Sequence, residues 1–591
     1  MSLVVQKFGG TSLADSAKIL AAARTAIRTQ NQGNQVVMVV SAMGKNTDVL
    51  VDLAGQINQK PPAREMDMLL STGEQVSVAL MAMAIDALGH KAISLTGAQI
   101  GIRTDSTHTK ARIESISTDR MRRLLDAGNI VIAAGFQGID DEFNITTLGR
   151  GGSDTTAVAL AAVLGADSCE IYTDVDGVYT TDPRKVAEAR RVQQVSYDEM
   201  LELASLGAGV MHSRSIEFAK KFSVPIHVRS SLTDIPGSVI VEQPEAPDQP
   251  VFGAAVTLDE ARVTVAKVPD VSGSIIQVFS PIADRNVAVD MIVQNIGEDG
   301  LTDLSFTVPR GELPQTLEAV AEAAETLGAG PVTHDAQVAK VSAVGLGMAR
   351  QTGVADQMFR ALSSAGVNLE MITTSEIKIS VLVDEQQALN ALRVIHQAFH
   401  LDQEPAAANT PAAATRHHGY AVDVVERLQG VGMEELTIDD ITLDKTQARV
   451  TITNLPDTPG IAARVFEEVA EAGVFVDMIV QSFGHHGLAS LSFTVPGDRL
   501  TQSVQVAESL RQRLDCGAVT SSPSVAKLSV SGIGLRSHTG VAIRMFRALA
   551  DAGINVNMIS TSEVRVNVVV DGPQGDDAQA CLQAAFADVM R

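Results

Sequence analysis

Short apolar runs alternate with longer stretches of helical periodicity over residues 1–243. Leu3–Phe8, Gln35–Ser41, Ala92–Leu95, Ile130–Ala134, Cys169–Thr173 and Pro225–Arg229 have the length and apolar content of strands. Ala14–Thr29, Arg64–Leu88, Thr118–Ala127, Thr155–Leu164 and Ser213–Lys221 carry apolar residues three and four apart and predict helices. This order predicts an α/β fold, a mainly parallel sheet with helices on both faces. Ligands of such sheets gather at the carboxyl ends of the strands.

Two stretches break the periodicity. Glu242 to Pro250 holds three prolines and three acids, and Leu401 to His418 is rich in Ala and Pro. Both predict exposed linkers, dividing the chain into 1–243, 251–400 and 419–591. The last two parts are copies of one unit. Val289–Gln294, Leu304–Pro309 and Met371–Glu376 recur 187 residues later as Val476–Gln481, Leu491–Pro496 and Met558–Glu563. A half-repeat of 80 residues relates Gly273, Phe279 and Met291 to Gly353, Phe359 and Met371, and Gly460, Phe466 and Met478 to Gly540, Phe546 and Met558. Four small βαββαβ (ferredoxin-like) modules, paired side by side, fit this pattern.

Charge narrows the partners. The chain has 46 basic and 70 acidic residues, net charge −24, which argues against nucleic acid or an anionic membrane. No apolar run in the sequence approaches the ~18 residues that span a bilayer, and the N-terminus lacks the plan of a signal peptide. A cytoplasmic protein is expected. Cys169, Cys516 and Cys581 are far apart and predict neither a disulfide nor a metal site.

Chemistry concentrates in the first part. Lys7-Phe-Gly-Gly-Thr-Ser12 lies between a strand and a helix, where glycines admit a phosphate and Lys7 adds full charge, or serve only a tight turn. Thr147-Leu-Gly-Arg-Gly-Gly-Ser-Asp-Thr-Thr156 combines a glycine run with Arg150, suited to a carboxylate, and Asp154, which either orients Lys7 or caps a helix. Tyr172–Arg184 offers hydroxyls, carboxylates and a guanidinium that suit a nucleotide; its spacing does not match an EF-hand. Val39–Gly44 ends a strand, and Ser71–Glu74 opens a helix-like pattern in which Glu74 is either a site residue or a first-turn acid.

In this order and at these separations, KFGGTS, VVSAMG, STGE, TLGRGGSDTT and YTDVDGVYTTDPR resemble the aspartate kinases of the amino-acid kinase family, over nearly the whole chain. The resemblance implies an amino-acid-kinase domain at 1–243, a first pair of regulatory ACT domains at 251–400, a linker at 401–418 and a second pair at 419–591. It implies transfer of phosphate from ATP to L-aspartate with Mg2+, giving 4-phospho-L-aspartate for lysine, threonine and methionine synthesis. Carried over by position, Lys7, Gly9 and Gly10 hold the transferring phosphoryl group and Asp154 positions Lys7. Ser41, Thr173, Asp174, Tyr179, Asp182 and Arg184 line the ATP pocket. Thr47, Glu74, Arg150, Gly151 and Ser153 bind aspartate, with Glu74 facing the ammonium and Arg150 the α-carboxylate. Many relatives have a lysine where this chain has Gly209; Arg184, Lys185 and Arg214 are the nearby cations that could replace it.

The resemblance also implies lysine and threonine as effectors and a homodimer through the ACT domains. The effector positions are Asp270, Gly273, Gln294, Asn295, Asn368 and Thr374 in the first pair, and Asp457, Gly460, Gln481, Ser482, Asn555 and Thr561 in the second. Ser482 replaces Asn295 and Asn557 replaces Glu370, so the second pair is expected to differ in effector or affinity, or to serve assembly. The alternatives are a related kinase for glutamate or N-acetylglutamate, and a non-catalytic amino-acid sensor. No GxGxxG unit follows residue 420, which argues against a fused homoserine dehydrogenase.

Overall fold

Leu3–Phe8 lies between two parallel strands, Gln35–Val40 and Ser168–Thr173. The computed structural model describes residues 2–207, 209–296, 300–405, 433–482, 487–514, 516–535 and 540–590. In it an eight-stranded sheet runs Gln194–Ser196, Ser238–Val241, Ile226–Ser230, Ser168–Thr173, Leu3–Phe8, Gln35–Val40, Ile130–Ala134, Ala92–Leu95. Every neighbouring pair is parallel except Ile226–Ser230 with Ser238–Val241. The central strands are mostly apolar because both faces are covered, and Val36 to Val40 are fully buried. The helix Gly152–Leu164 is buried on every side. A second sheet of four short strands, Ile113–Ile116, Ile102–Thr104, Gln137–Ile139 and Ile145–Thr147, forms one wall of the catalytic half.

The helix Ala63–Ala87 is, among the described residues, long and apolar enough to cross a membrane by length and composition. Here it packs on the strands Ala92–Leu95, Ile130–Ala134 and Ile145–Thr147, and it buries Asp67 and Glu74. Those contacts make it a core helix.

The regulatory part forms one twelve-stranded sheet. Four long strands, Gly253–Pro269, Val332–Val344, Thr437–Pro456 and Val519–Ile533, each pass from one module into the next. The repeated positions each have a structural use. Gly273, Gly353 and Gly460 start helices at φ +94°, +81° and +95°, where an L side chain is disfavoured. The phenylalanines meet across the two copies, Phe359 with Phe466 at 5.4 Å between ring centres and Phe279 with Phe546 at 6.3 Å. Met291, Met371, Met478 and Met558 converge in one buried cluster. The copies are also joined as sheet, with Ile372 and Thr373 pairing with Gln481 and Val480.

One boundary differs from expectation. The stretch Glu242 to Pro250 is not a loose linker: Glu245 is buried, 2.7 Å from Arg190, and accepts the backbone N–H of Gln193 at 2.8 Å. Of the second linker, residues 406–418 lie outside the described residues. The catalytic and regulatory halves meet at the helix Tyr197–Ser205, where buried Glu202 lies 2.9 Å from Lys378 and accepts the N–H of Glu563.

Within the first copy, Lys340 is 1% exposed and lies 2.6 Å from both Glu260 and Asp290. Lys340→Met strands two buried carboxylates. The expected loss is about 3–5 kcal/mol at pH 7, measured as a lowered urea midpoint for the regulatory transition. An unchanged midpoint at pH 7 would refute the triad's structural role.

Candidate active site

Lys7 closes the strand Leu3–Phe8 and reaches Asp154, with Nζ and Oδ1 2.6 Å apart. The helix bearing Asp154 starts at Gly152, earlier than the periodicity suggests, with Gly151 as its N-terminal cap residue. Asp154 therefore lies in the first turn, and it pairs with Lys7 rather than capping the helix. Gly151 has φ +72°, and a Cβ there would lie 2.3 Å from the Cβ of His212. Gly10 is equally constrained: a Cβ would come within 2.8 Å of the carbonyl oxygen of Ala42. The Lys7 turn and the Val39–Gly44 loop thus interlock, with Gly44 donating to Gly10 O at 3.0 Å.

Glu74 lies in the middle of the helix Ala63–Ala87, so it is not a first-turn acid. Its Oε1 accepts the N–H of Ala42 at 3.1 Å, while among the described residues Oε2 is buried without a partner. Burial pushes the carboxyl up to about 7, opposed by the backbone hydrogen bonds.

Lys7, Gly10, Ser41, Thr47, Glu74, Arg150, Gly151, Ser153 and Asp154 line one cleft of about 1210 Å3. Gly9 sits beside it, 3.6 Å from Lys7 Nζ measured from where its Cβ would be. Thr173 ends the neighbouring strand, Asp174 follows it, and the strand's Tyr172 O accepts the N–H of Gly9. Tyr179 bonds Asp176, and Arg184 turns onto Asp182 at 2.9 Å with 88% of its side chain exposed. Arg184 and Lys185 flank a separate depression against Arg393 and His396 of the regulatory part. The structure therefore does not bring Thr173, Asp174, Tyr179, Asp182 or Arg184 to the cleft wall.

Three features escaped the sequence reading. Buried Asp67 accepts from His108 Nδ1 at 2.7 Å, Thr109 N at 3.0 Å and Thr147 Oγ1 at 2.5 Å, fixing the strand that leads to Arg150. An acid on the apolar face of a helix was the available signal. Met433, Glu434, Glu435, Ile533 and Gly534 of the regulatory part also line the cleft. Finally, Gly209 has no room for a side chain: its Cβ would lie 2.6 Å from Ala204 Cα. Nor does Arg214 stand in for the lysine, since it donates to Leu148 O, Ala111 O and Glu434.

At the effector positions the expected grouping is wrong. Asp270 of the first copy accepts from Asn555 of the second at 2.7 Å, and from Gln294 at 3.4 Å. Asp457 of the second copy accepts from Asn368 of the first at 3.0 Å, near Gly460 and Gln481. Each interface thus combines both copies, because the helices and strands of one copy pack on those of the other. Thr374 accepts the N–H of Ile479 at 2.8 Å, Ser482 is fully buried, and Thr561 lines a neighbouring depression. The side chain of Asn295 lies outside the described residues.

A parallel sheet with a lysine–aspartate pair and two glycine loops at its carboxyl end defines an amino-acid kinase. The amino acid kinase family model matches residues 2–230, and an ACT domain model matches 341–399, 451–509 and 528–586. The chain is 50% identical over 404 residues to an aspartate kinase of Stutzerimonas stutzeri (strain A1501), covering 68% of this chain and 98% of that one. It is 49% identical over 408 residues to an aspartokinase of Geobacillus stearothermophilus, covering 69% and 99%. Among solved structures, an aspartate kinase from Synechocystis is 39% identical with a TM-score of 0.52, covering 99% of this chain and 98% of that one. Escherichia coli aspartokinase III in complex with aspartate and ADP is 25% identical with a TM-score of 0.58, covering 67% and 99%. The chain belongs to the aspartate kinases, ACT-bearing phosphotransferases of the amino-acid kinase family.

The Glu74 geometry has a measurable consequence. Its folded pKa is raised, so its contribution to stability is present below the unfolded value of 4.5 and lost as pH rises to about 7. Glu74→Gln removes that loss. The variant should match the wild type near pH 4.5 and exceed it by up to about 3 kcal/mol above pH 7. Denaturant midpoints across that window test this; a gap independent of pH would refute the burial of a charged carboxylate.

Proposed function

We propose that the cleft holds L-aspartate between Glu74 and Arg150, with its β-carboxylate directed at the γ-phosphorus of ATP beside Lys7. One observation carries this reading: a half-partnered buried carboxylate and an exposed guanidinium share a cleft with the Lys7–Asp154 pair. Those are the groups a zwitterionic amino acid needs. Ionised Glu74 takes the α-ammonium, and Arg150 takes the α-carboxylate in fork geometry. Thr47, Gly151 and Ser153 complete the substrate side, and Gly9, Gly10, Ser41, Thr173 and Asp174 the nucleotide side. Tyr179, Asp182 and Arg184 lie further out along the same loop, and their nucleotide role needs that loop to turn inward.

The β-carboxylate is already ionised at pH 7 and needs no base. A bond forms from its oxygen to the γ-phosphorus, and the bond to the β,γ-bridging oxygen breaks, releasing ADP. Lys7, held by Asp154, neutralises charge on the transferred group. Among the described residues no group of three or more His, Cys, Asp or Glu side chains is placed to hold a metal. A Mg2+ ion would on this reading be carried by the nucleotide phosphates and water rather than by a protein cluster. When bound, the ion supplies positive charge to the phosphate oxygens.

For regulation, we read the Asp270–Asn555 and Asp457–Asn368 interfaces as effector sites for lysine and threonine. Each offers a carboxylate for an ammonium and a glycine-started helix for a carboxylate. The domain divisions given above, with four ACT modules, are part of this reading. Both interfaces form within one chain, so dimerisation does not need ACT pairing. A homodimer is supported instead by the exposed apolar residues Val49, Leu53 and Ile57 on the helix Asn46–Ile57. We place the enzyme in the cytoplasm, where ATP and aspartate are found.

Trapping the acyl phosphate as its hydroxamate tests the substrate: aspartate should turn over and glutamate should not, whereas turnover of glutamate would move the reading to a related kinase. Lys7→Met should lower kcat by about 100-fold or more with little change in KM for aspartate. In the same assay, Asp270→Ala and Asp457→Ala should each weaken inhibition by lysine or threonine while leaving uninhibited activity within about twofold. Full inhibition of both variants would leave the interfaces to assembly.

A further inference from the structure

Arg214 stands at the start of the helix Ser213–Lys221, two residues after His212, which packs on Gly151. Its NH1 donates to Leu148 O at 2.5 Å and its NH2 to Ala111 O at 2.6 Å. Leu148 immediately precedes the loop Gly149-Arg150-Gly151, in which both glycines have φ above +70°. Such a loop is intrinsically mobile, and its conformation depends on clamps at its ends. Arg214 is one of those clamps.

The third face of Arg214 is held from the regulatory part. Glu434 Oε2 accepts from Arg214 Nε at 2.5 Å, and Oε1 accepts the N–H of Ile113 at 2.9 Å. The Glu434 side chain is 8% exposed, so both oxygens have exchanged water for these partners. Its neighbours are stitched to the same surface: Met433 is 1% exposed and donates to Glu114 O, and Glu435 O accepts from Lys221. The segment forms part of the cleft wall.

We infer that Glu434 is a positioning residue for phosphoryl transfer: it fixes Arg214, which fixes the loop that presents Arg150 to the substrate carboxylate. The inference rests on the reading of Arg150 as the carboxylate grip. A side chain 220 residues away in sequence from Arg214 thereby completes the aspartate site. A mere tether between the two halves would not act selectively on one substrate.

The test is steady-state kinetics of the full chain with aspartate and ATP varied separately. Glu434→Gln keeps the shape but faces Arg214 without charge. KM for aspartate should rise about tenfold or more, with kcat and KM for ATP within about threefold. Glu434→Asp, one methylene shorter but charged, should recover at least half of that loss on a logarithmic scale. If Glu434→Gln does not fold, Glu434→Asp alone should still raise KM for aspartate about threefold. An unchanged KM for aspartate in a folded variant would overturn the inference, and so would an equal rise in both KM values. Arg150→Lys, measured alongside, separates the two levels. If it leaves KM for aspartate unchanged, the grip itself is misassigned; if it raises KM while Glu434→Gln does not, only the present inference fails.

Discussion

Lys7 and Asp154 come from segments almost 150 residues apart, yet their charged atoms meet at 2.6 Å with side chains only 11% and 12% exposed. A pair so shielded is stable only when geometry is held from all sides. Much of the catalytic half serves that requirement. The sheet sets Lys7 at the carboxyl end of a strand with parallel neighbours, and the buried helix Gly152–Leu164 brings Asp154 under it. Gly10 and Gly151 allow backbone approaches that a Cβ would block. Moving either loop separates the charges, so substrate geometry and local stability are coupled here.

The regulatory part solves a different problem. Similar modules bury their faces by pairing, and pairing is available either between chains or within one. Here the repeated phenylalanines pack against each other across copies in tilted pairs and the repeated methionines share one cluster. Both Asp270–Asn555 and Asp457–Asn368 contacts follow from that closure. The closure makes the two interfaces non-identical by construction. One joins the outer parts of the two copies in sequence and the other the inner parts, and their surroundings differ, with Glu370 accepting from Arg262 where Asn557 donates to Asp571.

How much of this could be read beforehand depends on the range of the interaction. Leu3–Phe8, Ile130–Ala134 and Ser213–Lys221 were legible because apolar periodicity is a local property. Lys7, Asp154, Glu74 and Arg150 were legible because their motifs are compact, and the cleft gathers them. The partner of each repeat was not, since an offset of 187 says that copies are alike and not which faces meet. Glu245 looked like linker because its stretch is proline-rich and acidic, yet a partly buried arginine claims it. Gly209 read as a missing cation; in space it is a point of contact with Ala204 that admits no side chain.

These long-range contacts also suggest how the halves communicate. The strand Thr437–Pro456 is 20 residues long, roughly 65 Å if fully extended. Three residues before it lies Glu434, on the cleft wall; immediately after it lies Asp457, at an interface between copies. It is paired along both edges, to Leu488–Pro496 and Val519–Ile533, with bulges that bend it. A paired strand resists stretching, so displacement at one end must be met by sliding in the sheet or displacement at the other. On the proposed reading of the Asp457 interface as an effector site, a ligand that prefers one arrangement there would bias the arrangement at Glu434 by its difference in affinity for the two. That linkage is reciprocal: aspartate held through Arg150 would alter effector affinity by the same factor. Coupling on this reading would not require the two sites to be adjacent, because a single continuous strand ends near each.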